Sequence, residues 1–284
     1  MRGKTDGCDV RHTNAMTIAQ EKSWRAGRFG WDYSTPRMAI GQSLGAVFFD
    51  LDALTDIECD GHRVAFNAAF AAHDLDFQWT PRRYRQLLAL GDERQRVNAE
   101  LRKRGIATES DVLMRLLADD IYSTKTMMFD EVIAAAELAP RPGLLEFVSD
   151  AAASGVRVGV VTMGQRSWAE PLVRRLLGDG VVASLVTADD VKKPMPNCEA
   201  FEHALSDIDA PARTAMAIVG SAAGLRSATA MGLATVVVTG NGGPDLPAAA
   251  AVRPDFGGAD PLRIADCQRL HGDWWAAHAP AAVA

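Results

Sequence analysis

Two aspartates separated by one residue, Asp50 and Asp52, stand directly behind the apolar run Leu44-Gly45-Ala46-Val47-Phe48-Phe49. A carboxylate at the end of a buried strand can serve as a nucleophile and its neighbour as a proton donor, since alternate residues of an extended chain lie on the same side. Taken alone, Asp-x-Asp is as often a helix cap or a turn. Three further groups follow along the chain. Thr162, ahead of Met163-Gly164, brings a hydroxyl and backbone amides to another strand end, a position that β-branched residues also favour for structural reasons. Lys192 and Lys193 precede Pro194, and Gly220-Ser221-Ala222-Ala223-Gly224 is a small-residue loop running into a helix start, where amides can receive an anion. Each feature is weak by itself. Their order carries the weight: acid pair, hydroxyl, lysine and small loop, each behind a successive strand.

Such groups can meet only if the strands are neighbours, and in open parallel sheets ligands bind beyond the carboxyl ends of the strands. The pattern supports that arrangement. Strands are expected at Leu44 to Phe49, Val156 to Thr162, Ala183 to Thr187, Ala215 to Val219 and Thr235 to Val238. Helices are expected between them at Leu144 to Ala153, Ala169 to Leu177, Asn197 to Leu205 and Gly224 to Met231. This alternation predicts an α/β fold, a doubly wound, Rossmann-like parallel sheet. Residues from about Asp60 to Leu138 read as helix after helix, with charged faces such as Glu93-Arg94-Gln95-Arg96 opposite Leu and Ala stripes. The expected organisation is an N-terminal flexible tail (1–42), an α/β core (43–56 and 139–284) and an inserted all-helical cap (57–138). Pro244 to Ala251 reads as loop.

The 284 residues are 48% hydrophobic and 23% charged, which excludes a disordered or fibrous chain. No apolar run approaches the ~18 residues of a membrane span. A net charge of −6 argues against nucleic acid as a partner. Four dispersed cysteines, Cys8, Cys59, Cys198 and Cys267, form no metal-ligand or disulfide pattern and, with the absence of a secretory h-region, point to the cytoplasm.

The ordered motifs resemble those of the haloacid dehalogenase-like hydrolases, over roughly Leu44 to Val238. The family's Asp-x-Asp-Gly-Thr-Leu is matched by Asp50-Leu51-Asp52 followed by Ala53-Leu54, its second motif by Thr162, and its third by Lys193-Pro194. The start of the cap, Glu58-Cys59-Asp60-Gly61-His62-Arg63-Val64-Ala65-Phe66-Asn67, with Trp79 and Arg141-Pro142-Gly143, is similar to that of the CbbY-like sugar-phosphate phosphatases. The resemblance implies that Asp50 attacks phosphorus to give an aspartyl-phosphate and that Asp52 protonates the leaving oxygen and then activates water. It implies that Thr162 and Lys193 hold the phosphoryl group, and that Mg²⁺ sits on Asp50, the Asp52 carbonyl and the substrate phosphate. Glu58, His62, Arg63 and Arg94 are the cap residues expected to contact the rest of a small phosphorylated metabolite, with the chain acting as a monomer or homodimer.

Two positions depart from the family pattern. A single Ala53 stands where the family has Gly-Thr, and Val219-Gly220 stand where an acidic pair precedes Ser221. With no acid at Gly220, Mg²⁺ is expected to bind weakly or to be lost, Asp189 or Asp190 being the nearest replacements in sequence. Two functions follow as expectations. One is a magnesium-dependent phosphatase of a small sugar phosphate; the other is an impaired relative that binds a phosphometabolite or a protein partner without turnover.

Overall fold

The computed structural model describes residues 43–106, 110–240 and 246–278; the expected N-terminal tail and Cys8 lie outside them. The first strand, β1 (Ala46–Asp50), is apolar until its last residue and buried throughout, the signature of a strand covered on both faces. A one-turn helix, α1 (Leu51–Leu54), follows at once, because the Asp50 side chain caps it by accepting from Ala53 N at 2.9 Å. After a π-helical turn at Ile57–His62 come four helices without an intervening strand: α2 (Arg63–Ala72), α3 (Pro81–Leu87), α4 (Glu93–Arg104) and α5 (Asp111–Ala135). Their starts carry local signals, Thr80 before Pro81, Asp92 and Ser110 each accepting a first-turn amide.

The alternating half comprises α6 (Leu144–Ala153), β2 (Arg157–Val161), α7 (Arg166–Leu177), β3 (Val182–Val186), α8 (Glu199–Asp207), β4 (Ala215–Val219), α9 (Ala222–Ala230), β5 (Ala234–Val238), β6 (Ala251–Arg253) and α10 (Ile264–Ala277). The sheet order is β3-β2-β1-β4-β5-β6, with every pairing parallel. β1 is therefore central, and the chain reverses its direction of strand addition between β1 and β4. A doubly wound α/β sheet with a helical insertion is what the alternation predicted.

Three apolar clusters hold the molecule. Val47, Phe49, Val158, Val160 and Ile218 pack on one face of the sheet with Phe147, Leu172 and Ile264. Phe48, Val161, Ala217 and Val219 pack on the other with Phe201 and Leu225. The insertion has a core of its own, in which Phe66, Phe70, Trp79 and Tyr84 pack with Leu101, Ala118 and Ile121. Three elements depart from the sequence expectation, α10 among them, since no helix was expected beyond Met231. The stretch read as loop up to Ala251 ends in a sixth edge strand, three residues long and so too short to show a period. α7 starts at Arg166, three residues before the expected Ala169, because Ala169 N reaches back to the Gln165 carbonyl; Pro171 lies inside it, as in the expected helix. Among the described residues no helix is long and apolar enough to cross a membrane, and Cys59, Cys198 and Cys267 are unpaired.

Candidate active site

β1 ends beside β2 and β4, and its register pairs Asp50 with Val161, so that Thr162 lies one residue beyond on the adjacent strand. Asp50 is buried, 1% exposed. Its Oδ1 accepts from Ala53 N (2.9 Å) and Gly220 N (2.7 Å), and its Oδ2 accepts from Ser221 N (3.1 Å) and Ser221 Oγ (2.7 Å). The loop after β4 thus closes directly on the carboxylate. Ser221 is also the cap of α9, accepting from Gly224 N at 2.9 Å. The loop must be made of small residues: a Cβ at Gly220 would run into the carbonyl carbon and oxygen of Asp52, and one at Gly224 into Oδ2 of Asp50.

Asp52 is half-buried and its carbonyl accepts from Arg141 Nε at 2.9 Å. Burial raises the carboxyls of both aspartates. At Asp50 four donors oppose that rise, whereas Asp52 is pushed further by the charges of Asp50 and Glu58, with Arg141 opposing. The stronger rise at Asp52 favours the protonated form that a general acid needs. Thr162 is buried and its Oγ1 accepts from Gly164 N at 3.0 Å, which leaves the hydroxyl proton free to donate.

Lys193 is not drawn in. It is exposed, its backbone and that of Lys192 each donate to the Glu199 carboxylate at 2.9 Å, and it forms no ion pair with Asp50 or Asp52 among the described residues. The alternative acids are held elsewhere as well. Asp189 accepts from Arg166 N at 2.8 Å, and Asp190 accepts from Thr187 N and Oγ1 and from Arg166 Nη2.

A divalent ion does not fit the donors present. Both oxygens of Asp50 already accept two hydrogen bonds each, the Asp52 carbonyl faces a guanidinium, and no side chain fits at Gly220. No group of three potential metal-ligating side chains exists among the described residues. Mg²⁺ prefers one or two carboxylates with ideal octahedral geometry, and here both oxygens of the Asp50 carboxylate are already held by protein donors.

The four cap residues singled out from sequence have different settings. Glu58 accepts from Tyr84 OH at 2.9 Å and lies 3.6 Å from Arg96. His62 Nδ1 is 2.9 Å from Lys125 Nζ and 3.3 Å from Glu93, and its ring stacks on Phe129. Arg63 is committed to the backbone, donating to the carbonyls of Cys59 and Trp79. Arg94 pairs with Asp119 at 3.1 Å and lies over the Tyr122 ring.

Lys125 was missed from sequence. It is 4% exposed, between Glu93 (3.1 Å to both oxygens), His62 and the Phe66 and Phe129 rings. Its signal was present in α5, where Met114, Ala118, Ile121, Lys125, Phe129 and Ile133 form one buried stripe. A lysine in such a stripe needs a buried partner. Burial holds the Lys125 ammonium below its ordinary range despite the attraction of Glu93. Burial also acts to raise Glu93, but the His62 hydrogen bond and charge, with Lys125, outweigh it and bring the carboxyl down to about 2.

A carboxyl depressed from 4.5 to about 2 stabilises the fold fully above pH 4.5, and the contribution vanishes as pH falls through about 2. The wild-type chain is therefore expected to unfold at a higher temperature than Glu93→Gln near neutrality and to lose that advantage in acid. Thermal unfolding of both forms across that pH range checks this.

Comparison with known proteins agrees with the fold. The sequence model of the haloacid dehalogenase-like hydrolases matches residues 44–232. Protein CbbY of Cereibacter sphaeroides is 32% identical over 202 residues, 69% of this chain and 85% of that protein. Protein CbbY of Rhodobacter capsulatus is 31% identical over 221 residues, 76% and 95% of the two chains. Among solved structures, CbbY from Rhodobacter sphaeroides in complex with phosphate superposes with a TM-score of 0.57 at 28% identity, covering 76% of this chain and 97% of that one. A mutant of the same protein in complex with xylulose-(1,5)bisphosphate gives the same TM-score at 27% identity.

Proposed function

The chain belongs to the haloacid dehalogenase-like hydrolases and, within them, to the CbbY-like subgroup; from that premise we propose that it hydrolyses the phosphate monoester of a small sugar phosphate at Asp50 and Asp52. The observation that carries this reading is the aspartate pair itself: Asp50 held by four donors and Asp52 two residues on, its carboxyl raised by burial and by the charge of Asp50, at the carboxyl end of the central strand.

In this reading one Asp50 oxygen exchanges its loop donors for phosphorus and forms an aspartyl-phosphate as the bond from phosphorus to the sugar oxygen breaks. Asp52 gives its proton to that leaving oxygen. Now ionised, Asp52 takes a proton from water, whose oxygen attacks phosphorus and cleaves the aspartyl-phosphate to release inorganic phosphate. The Thr162 hydroxyl, its oxygen held by the Gly164 amide, lines the neighbouring strand end with a proton to donate to the transferred oxygens. Lys193 reaches them only if its exposed side chain turns inward on binding. Glu58 and the His62–Lys125–Glu93 cluster are the cap groups proposed to meet the sugar, together with Arg94 and Arg63 at the periphery. Magnesium use is general in the family, whereas the nucleophile, the proton and the hydroxyl donor named above all belong to this chain's own residues.

A second reading, binding of a phosphometabolite without turnover, is favoured by one observation: every hydrogen-bonding position of Asp50 is filled from within the protein. Phosphate release from a panel of sugar mono- and bisphosphates decides between them. The panel should include xylulose 1,5-bisphosphate, because a CbbY relative is solved with that compound. Turnover that falls as alkali removes the Asp52 proton supports hydrolysis. No release at any pH, with thermal stabilisation by one of the panel, supports the second reading.

A further inference from the structure

Asp50, Asp52 and the loop after β4 are held together by protein donors alone. A carboxylate offers about four lone-pair positions. At Asp50 all are matched, by Ala53 N, Gly220 N, Ser221 N and Ser221 Oγ. Three of those four donors come from Gly220, which stands where the family has an acid, and from the Ser221 that follows it. An acid there would demand a cation; two amides and a hydroxyl neutralise Asp50 without one. The Asp52 carbonyl oxygen, the remaining position through which the family resemblance would hold a metal, accepts from Arg141 Nε. Arg141 is half-buried, and its backbone N–H is fixed to the Leu54 carbonyl at 2.8 Å, so the side chain rises from an anchored point. A guanidinium carries five N–H donors. Among the described residues only Nε of Arg141 has a protein acceptor; Nη1 packs beside Gly240, and the terminal nitrogens keep N–H donors for an anion.

We infer that this chain binds its phosphorylated ligand without a divalent cation, with the Gly220-Ser221 amides and hydroxyl neutralising Asp50 and the Arg141 guanidinium standing beside Asp52 as the cation that receives the phosphoryl group. The inference rests on the reading of this sheet end as a phosphate site. Arginine suits the task because its planar fork matches phosphate oxygens two at a time and its charge is permanent.

The test uses the full chain and two probes, Mn²⁺ and inorganic phosphate. Mn²⁺ binding is followed by the loss of its free-ion paramagnetic resonance signal; phosphate binding is followed by titration calorimetry in EDTA and again in Mg²⁺. Expected are no bound Mn²⁺ up to about 1 mM, equal phosphate affinity in EDTA and Mg²⁺, and a loss of about tenfold or more in Arg141→Met, partly recovered in Arg141→Lys. The unliganded melting temperatures of the two variants show whether the loss comes from unfolding. If Arg141→Met does not fold, Arg141→Lys alone decides, since a packing role tolerates the lysine stem and leaves phosphate affinity unchanged. Tight Mn²⁺ binding, phosphate affinity that requires Mg²⁺, or affinity indifferent to Arg141 overturns the inference. Metal-dependent turnover would do so while leaving the proposed hydrolysis standing. No phosphate binding and no turnover under any condition would remove both.

Discussion

Asp50→Asn is expected to eliminate phosphate release, by about three orders of magnitude or more, as loss of a covalent nucleophile does. It is expected also to weaken the fold, which sets this chain apart from a case in which the nucleophile is merely exposed in a cleft. The asparagine amide can accept at one position only. Its NH₂ would face either Ala53 N and Gly220 N or the Ser221 amide and hydroxyl, setting donors against donors in a buried place. Leaving such groups unsatisfied costs about 1–3 kcal/mol. Release assays and chemical denaturation of the purified variant read the two effects separately. A variant that is silent yet fully stable would mean that the loop does not close on Asp50 in solution.

The second large effect is expected from Gly220→Asp, the substitution that writes the family's acid back into the loop. A Cβ at this position collides with the Asp52 carbonyl and lies 2.7 Å from Ala53 N, and both are backbone atoms that cannot turn aside. Overpacking against fixed neighbours costs about 3 kcal/mol, and here the added carboxylate also meets Asp50 and Asp52. We expect a lower denaturation midpoint without a gain of metal binding. Unchanged stability together with new Mn²⁺ affinity would show instead that the loop after β4 can retreat and that the ion's place persists beneath it.

The fold was legible because its signals were local and repeated. Each of the first five strands is a short apolar run, and β1 announces its end with Asp50, which simultaneously starts α1. α10 was not legible. Its buried face is Ile264, Cys267 and His271, a stripe too mixed to read, and its start is fixed by the Arg263 backbone meeting Asp266 rather than by a serine or aspartate ahead of it. Trp274 and Trp275 belong to this helix, where they pack edge to face, and Trp274 lies against the sheet core.

At the site, sequence spacing brought out Asp50, Asp52 and Thr162, because strand ends are where sheet proteins concentrate chemistry. It could not place Lys193, whose loop orientation depends on Glu199 seven and six residues on from the two amides it holds, Lys192 and Lys193 being tied by the same carboxylate. Nor could it find Arg141 at the Asp52 carbonyl, a contact across 89 positions of chain. The bonds of Arg63 to the Cys59 and Trp79 carbonyls have the same origin: a long basic side chain near unpaired carbonyls satisfies them first.

α5 belongs to two cores at once. Its first half gives Met114, Ala118 and Ile121 to the cap cluster, and its second gives Phe129 and Ile133 to the cluster on the sheet, where Phe129 meets Trp168 edge to face at 5.1 Å. The helix has 25 residues and spans about 37 Å, with neither proline nor glycine along it to permit a sharp bend. Mechanically it is a stiff beam clamped at both ends rather than one arm of a free hinge. Any displacement of the cap against the sheet must therefore carry the whole beam with it, and about the seat at Trp168 Lys125, one turn away, would travel less than the far end at Asp111.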